Sequence, residues 1–281
     1  MLTALISTAT AAFFGGSDFL GGLASRRGSA LSVTAVVYGI GVAIFAVVLV
    51  FVRPAAFTSA DFGWAAVSGV VGTVGVLSLY AALAAGRMGI VAPVTAALAG
   101  AGPAAFDLFR GSRVGFAPLL GLALAIVAVV VVSTVTDPDD EHATPPRAVM
   151  LAVLAGTGFA CSLIALSFTS HASGLAPLLV ARCTGALILG VAMLGRGSSG
   201  RALSRSALAP ALLAGVLDAA ANFTMITALR IGPMAVASVI GSLYPVTTIL
   251  LARTVLHERL HRLQILGVCL ALAAVVLTAL P

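Results

Sequence analysis

The chain has 281 residues, of which 60% are hydrophobic and 9% charged, where a soluble domain carries about 25% charged residues. Water cannot solvate so apolar a chain, with its mean hydropathy of +1.17, but a bilayer can. The formal net charge of +6 rests on arginine alone, with no lysine, and the arginines lie singly or in small groups between apolar runs. That scatter excludes the basic patch nucleic acid requires and fits loop and interface positions of a membrane protein.

A helix needs about 20 apolar residues to cross the hydrocarbon core. The first such run, 2–22, has no basic residues ahead of it and is predicted to be a span rather than a cleaved signal segment. After Arg26, Arg27 and Gly28 comes 31–52, closed by Arg53 and Pro54. The third run, 63–85, follows Asp61 and carries Trp64 near its start, a residue type that marks membrane interfaces. Gly86 and Arg87 separate it from 89–109, and the segment from Arg110 to Arg113 leads into 115–135. Residues 137–147, DPDDEHATPPR, are the one clearly polar stretch and predict a hydrated linker containing His142. Five further runs follow at 148–169, 174–195, 207–229, 232–252 and 263–280. They are punctuated by His171, by Gly195 to Gly197, by Gly232 and Pro233, and by the segment from His257 to His261. The runs are continuous rather than alternating, which excludes a transmembrane barrel. Pro93, Pro103, Pro177 and Pro245 fall within or near spans and are expected to free backbone carbonyls and permit bends. Cys161, Cys183 and Cys269 each stand alone in an apolar run, without metal-ligand spacing, and are expected to be small buried packing residues.

The linker divides the chain into two halves of five runs, 1–136 and 148–281. The halves match at a constant offset of 146 residues: Gly39 with Gly185, Gly69 with Gly215, Gly86 with Gly232, Met88 with Met234, Arg113 with Arg259, and Gly121 with Gly267. An odd number of crossings makes the second half enter the membrane from the opposite face. The expected fold class is therefore an all-α integral membrane protein, with ten transmembrane helices as two inverted five-helix repeats. Such repeats are characteristic of secondary transporters, whose substrate site lies near the midplane between them.

Ionisable side chains inside a span are costly and mark function. Asp218 falls near the middle of 207–229, and Asn222, four residues on, shares its face. This carboxylate is a candidate to bind a cationic or amino group, or to load and release a proton. Asp18, toward the far end of the first span, is a second candidate for substrate binding or proton coupling. Arg182, inside the seventh span, is a candidate counter-ion for Asp218 or Asp18, or an anchor for a substrate carboxylate or phosphate. Tyr80, Tyr244, Ser242 and Thr224 are further candidates, either for a cavity wall or for interhelical hydrogen bonds.

The segment 228–276 resembles the EamA-type branch of the drug/metabolite transporter superfamily, through Tyr244-Pro245-Val246 in mid-span, the Glu258 turn, Gln264, Gly267 and the apolar last span. Gly15-Gly16-Ser17-Asp18-Phe19 is similar to that family's first-helix motif of small, polar and aromatic residues. The first half carries a weaker copy, with Ser112 where Glu258 stands and Ala99 where Pro245 stands. The resemblance implies ten helices, a central cavity, and export or exchange of small solutes such as amino acids, nucleotide sugars, sugar phosphates or drugs.

The expected partners are a small-molecule substrate, the lipid bilayer, and a proton or counter-substrate, in a monomer or homodimer. No catalytic residue, metal or cofactor is expected. There is no HExxH spacing, and without lysine the chain cannot be its own P-loop ATPase. A lipid flippase of the same fold, a membrane-embedded enzyme and a non-transporting subunit are the competing classes. Ten arginines fall in the odd-numbered connections, which by the positive-inside rule puts both termini outside; the resemblance implies both in the cytoplasm. The all-arginine usage points to a GC-rich bacterial genome, and the expected location is the cell membrane, as a multi-pass protein of the bacterial inner membrane.

Overall fold

The computed structural model describes residues 2–111, 115–134, 144–195, 203–231, 237, 240–258 and 262–280. Most of the polar linker, the matched residues Arg113, Gly232, Met234 and Arg259, and the histidines His142 and His261 lie outside the described residues. Among the described residues there is no strand, and ten α-helices follow one another: α1 (Leu2–Arg27), α2 (Ala30–Phe51), α3 (Ser59–Ala85), α4 (Met88–Phe109), α5 (Phe116–Thr134), α6 (Pro146–Ser167), α7 (Ala176–Leu194), α8 (Arg205–Ile231), α9 (Tyr244–Val255) and α10 (Arg262–Thr278). Six of them, α2, α3, α4, α6, α7 and α8, are long and apolar enough to cross a bilayer, while α5 and α10 are shorter apolar helices. The protein is thus a multi-pass helical membrane protein.

Several helices run beyond the hydropathy that predicted them, because polar residues cap their ends. α1 continues to Arg26 and Arg27, whose charges suit the negative end of the helix dipole. α3 begins at Ser59 through a reciprocal capping box, in which the Thr58 amide donates to Asp61 Oδ2 at 2.9 Å and the Asp61 amide donates to Thr58 Oγ1 at 3.2 Å. Two prolines correct the sequence expectation. Pro177 and Pro245 occupy the first turns of α7 and α9, where a missing N–H breaks no helical hydrogen bond, so they start helices instead of bending them. Pro93 and Pro103 do lie inside α4.

Packing runs mostly between the halves. α1 lies along α8 and α3 along α6; α2 touches both α7 and α8, and α5 lies along α10. Small residues permit this closeness. A Cβ on Gly69 of α3 would stand 2.6 Å from the Ala181 carbonyl of α7, so any larger side chain would force the two helices apart. One apolar core gathers Phe19, Val37, Leu83, Met88 and Val91 against Ala211, Ala214 and Ala252. A second is built largely of alanine, from Ala97 and Ala101 of α4 to Ala271 and Ala274 of α10.

The outer surface is itself apolar, with Val50, Phe51, Leu187, Leu194 and Leu250 exposed. Cys161, Cys183 and Cys269 are exposed as well, contrary to their expected burial. In a bilayer a small apolar thiol meets hydrocarbon on the outside as readily as inside, so the usual pressure to bury cysteine is absent.

Candidate functional site

The Gly15-Gly16-Ser17-Asp18-Phe19 run of α1 divides its tasks residue by residue. A Cβ on Gly15 would collide with the Tyr244 carbonyl and the Thr247 side chain, so glycine is what lets the start of α9 approach α1. Thr248 Oγ1 donates to the Gly15 carbonyl at 3.1 Å across that contact. Ser17 Oγ donates to the Ala214 carbonyl of α8 at 2.9 Å. Phe19 is buried in the apolar core. Asp18 is left facing a central cavity.

The cavity has a volume of about 420 Å³ and a mainly apolar lining, and pockets of about 300–1,000 Å³ suit small molecules. Seven of the sequence candidates line it: Asp18, Tyr80, Arg182, Asp218, Asn222, Ser242 and Tyr244. They come from α1, α3, α7, α8 and the start of α9, so the structure brings residues of both halves to one place. Arg182 Nη2 donates to Asp218 Oδ2 at 2.6 Å, and the two side chains are only 13% and 14% exposed. A charge-assisted pair this short and shielded is strong, because little water competes for either partner. The Arg182 guanidinium also lies 4.7 Å from the Tyr38 ring centroid, a cation–π contact that holds its plane from the other side. Asn222 Nδ2 donates to the Asp218 carbonyl at 2.8 Å. Asp18 has no hydrogen-bonding or ion-pair partner among the described residues.

Thr224 lies elsewhere. Its hydroxyl is shared with Thr10 at 2.9 Å across the α1–α8 seam, and it does not line the cavity. Tyr38 is the residue that sequence reasoning missed. The chain has three tyrosines, and Tyr38, Tyr80 and Tyr244 all line the cavity; a polar aromatic in mid-span was the available signal. Tyr80 is seated closely, since a Cβ on Gly21 of α1 would run into its ring. A second missed feature is the pair Ser68 and Ser162, whose hydroxyls stand 2.7 Å apart between α3 and α6 in the cavity wall.

The lining reaches toward one end of the molecule, through Leu166 at the end of α6, Leu178 at the start of α7 and Thr278 at the end of α10. The opposite end is tied shut below Asp18 and Tyr80. There Glu258, just beyond α9, accepts hydrogen bonds from the Met88 and Gly89 amides at 3.1 Å each. It thereby caps α4, which has no side-chain cap from its own N-cap residue. Arg26 Nη2 donates to the same carboxylate at 3.0 Å and to the Gly86 carbonyl at 2.9 Å, and its Nε donates to the Leu83 carbonyl at 3.1 Å. Arg87 Nη1 donates to Gln264 Oε1 at 3.0 Å.

A multi-pass helical membrane protein with a charged, part-polar cavity between its halves is the class that fold and site define. Residues 146–280, a little under half of the chain, match the EamA-like transporter family, in line with the resemblance of the segment 228–276. That family comprises transporters rather than enzymes. The fold is also that of a solved structure described only as "Crystal structure of protein", with a TM-score of 0.63 and 16% identity over 98% of this chain and 96% of that one. No curated protein matches the chain.

Proposed function

We propose that the protein is a secondary transporter, an exporter or exchanger of a small metabolite or drug, working by alternating access through the central cavity. The observation that carries this reading is the Arg182–Asp218 pair, buried in a cavity that both halves line. A shielded ion pair facing an apolar cavity is an expensive feature for a merely structural protein, and removing one partner typically costs about 3–5 kcal/mol.

In this reading the chain consists of two inverted repeats, 1–136 and 148–281, joined by the linker 137–147 and crossing the membrane ten times. The helix boundaries support it. Ser59–Ala85 and Arg205–Ile231 stand 146 residues apart at both ends, and α2 and α7 begin at Ala30 and Ala176 with the same offset. The packing supports it as well, because exchanging the halves turns the α1–α8 contact into the α6–α3 contact and the α2–α8 contact into the α7–α3 contact. Two equivalent units can exchange conformations, and that exchange moves a midplane site from one face to the other.

The test is counterflow in proteoliposomes against a panel of amino acids, nucleotide sugars, sugar phosphates, polyamines and cationic drugs, preceded by thermal shift in detergent. A ligand bound only by the folded protein stabilises it by about 2.7 kcal/mol at a hundredfold excess over its Kd. Asp218→Asn is expected to abolish counterflow while the protein remains monodisperse. Unchanged transport by that variant would remove the pair from the mechanism. Movement of a fluorescent phospholipid instead of any solute would replace this reading with that of a flippase.

A further inference from the structure

Resting on the transport reading, we infer that the cargo is an organic monocation with an apolar, aromatic-sized body, and that Asp18 is its counter-charge. Three ionisable carboxylate and guanidinium groups line the cavity: Asp18, Arg182 and Asp218. Arg182 and Asp218 neutralise each other at 2.6 Å. One carboxyl group is left over, that of Asp18, with no partner among the described residues. No second basic residue lines the cavity among the described residues. Arg26, two turns further along α1, is already bound to Glu258 and to the carbonyls of Leu83 and Gly86, outside the cavity. A shielded carboxyl without a partner holds a proton until a cation from solution displaces it and pairs with the carboxylate.

The surroundings suit an ammonium rather than a metal ion. Phe14 is four residues before Asp18 and so shares its helix face, and its ring stands 6.0 Å from that of Tyr244. Both rings line the cavity with Asp18, and π-faces attract an organic cation beside its counter-ion. The largely apolar remainder of the wall offers contact to the body of the solute and few polar ligands for a hydrated metal.

The same geometry discriminates against anions. A phosphate or carboxylate needs an unpaired guanidinium, and Arg182 is occupied on one side by Asp218 and on its face by Tyr38. A zwitterionic amino acid satisfies Asp18 with its ammonium, but its carboxylate must then compete with Asp218 for Arg182. It should therefore bind more weakly than the amine that lacks the carboxylate.

The experiment uses four related probes with the purified full-length protein: 2-phenylethylammonium, 2-phenylethanol, 3-phenylpropionate and phenylalanine. Binding is read by calorimetry and by thermal shift, and movement by counterflow. The expected order is 2-phenylethylammonium first, phenylalanine at least tenfold weaker, and the alcohol and the anion without measurable binding. Asp18→Asn should lose the cation at least tenfold while keeping the wild-type elution profile, and Asp18→Glu should retain cation over alcohol selectivity. If Asp18→Asn fails to fold, the Glu variant and the probe order still decide. Failure of 2-phenylethylammonium to bind, or tighter binding of 3-phenylpropionate, overturns the assignment. Counterflow of the anion would do so while leaving the transport reading intact, whereas an absence of counterflow for every solute would count against the transport reading itself.

Discussion

The two ends of the molecule are both tied by a carboxylate that caps a helix, yet they differ in what they tie. At the end toward which the cavity extends, Asp61 accepts from the Thr58 amide and hydroxyl on its own side, and from the Ser170 amide at 2.6 Å and hydroxyl at 3.2 Å across the gap. The Ala55 and Ala56 amides donate to the Ala172 carbonyl beside it, and Trp64 stacks on Phe168 with centroids 4.5 Å apart. All of this joins the α2–α3 connection to the α6–α7 connection, and none of these tied residues lines the cavity. At the other end Glu258 joins α1, the α3–α4 turn and the end of α9, directly below Asp18 and Tyr80. The position 146 residues before Glu258 is Ser112, which has no carboxylate to offer. The polar ties at the two ends thus differ, and the cavity extends toward the end tied by Asp61 and away from the end tied by Glu258.

Breaking the closed end should have the largest effect. Glu258 is 11% exposed, and Glu258→Ala leaves the Met88 and Gly89 amides without their acceptor and removes the one carboxylate among the three acceptors of Arg26. Arg26 is 29% exposed, and water recovers part of that loss. The expected destabilisation is about 2 kcal/mol, from one lost cap and one lost charge-assisted bond. The more telling outcome is conformational. Ser25, next to Arg26 in sequence, is 7% exposed, and its hydroxyl has no partner among the described residues, so Ser25→Cys is a mild substitution there. With Cys161, Cys183 and Cys269 replaced, a water-soluble thiol reagent should label Cys at position 25 slowly in the parent and about tenfold faster with Glu258→Ala, equivalent to roughly 1.4 kcal/mol in the opening equilibrium. Equal labelling rates would show that Glu258 is only a cap.

Asp61→Ala supplies the contrast. It removes the α3 cap and the bridge to Ser170, and an N-terminal capping loss costs about 1–2 kcal/mol. The melting temperature should fall by an amount comparable to that of Glu258→Ala, but labelling at position 25 should stay within about twofold of the parent, because the Asp61 ties do not cross the closed end. A matching rise in labelling would mean that the two ends are not separate devices and that general loosening explains both.

What was readable in the sequence follows the same physical division. The bilayer imposes long apolar runs, so the all-helical class and the approximate place of the described helices could be read directly, whereas Ser59 and Arg205 as helix starts could not, because hydropathy discards the polar caps that set them. Asp218 and Arg182 declared themselves as charges in apolar runs, but their pairing depends on α7 and α8 meeting, which no local pattern encodes. Asn222 was placed correctly beside Asp218 since four residues advance a helix by a little over one turn, while Thr224, six residues on, points round to the α1 seam and Thr10. Glu258 was visible as a motif residue, but its partners at Met88 and Gly89 are about 170 residues away and contribute backbone amides, which leave no trace in side-chain identity.

The smallest effect separates capping from simple polarity within the closed end. Gln264 is 4% exposed, and its carbonyl accepts from Arg87 Nη1 at 3.0 Å, so α10 is tied to the start of α4 without involving Glu258. Gln264→Leu keeps the bulk and removes the acceptor. Arg87 can turn toward water, so the expected loss is about 1 kcal/mol, with position 25 labelled about two- to threefold faster than in the parent. In the double variant with Glu258→Ala the two effects should combine less than additively, since both ties hold the start of α4 and, once Glu258 is gone, the Arg87–Gln264 contact has less left to hold. Strict additivity in both melting temperature and labelling would mean that the ties act on separate motions, and the closed end would then be two latches in parallel and not one.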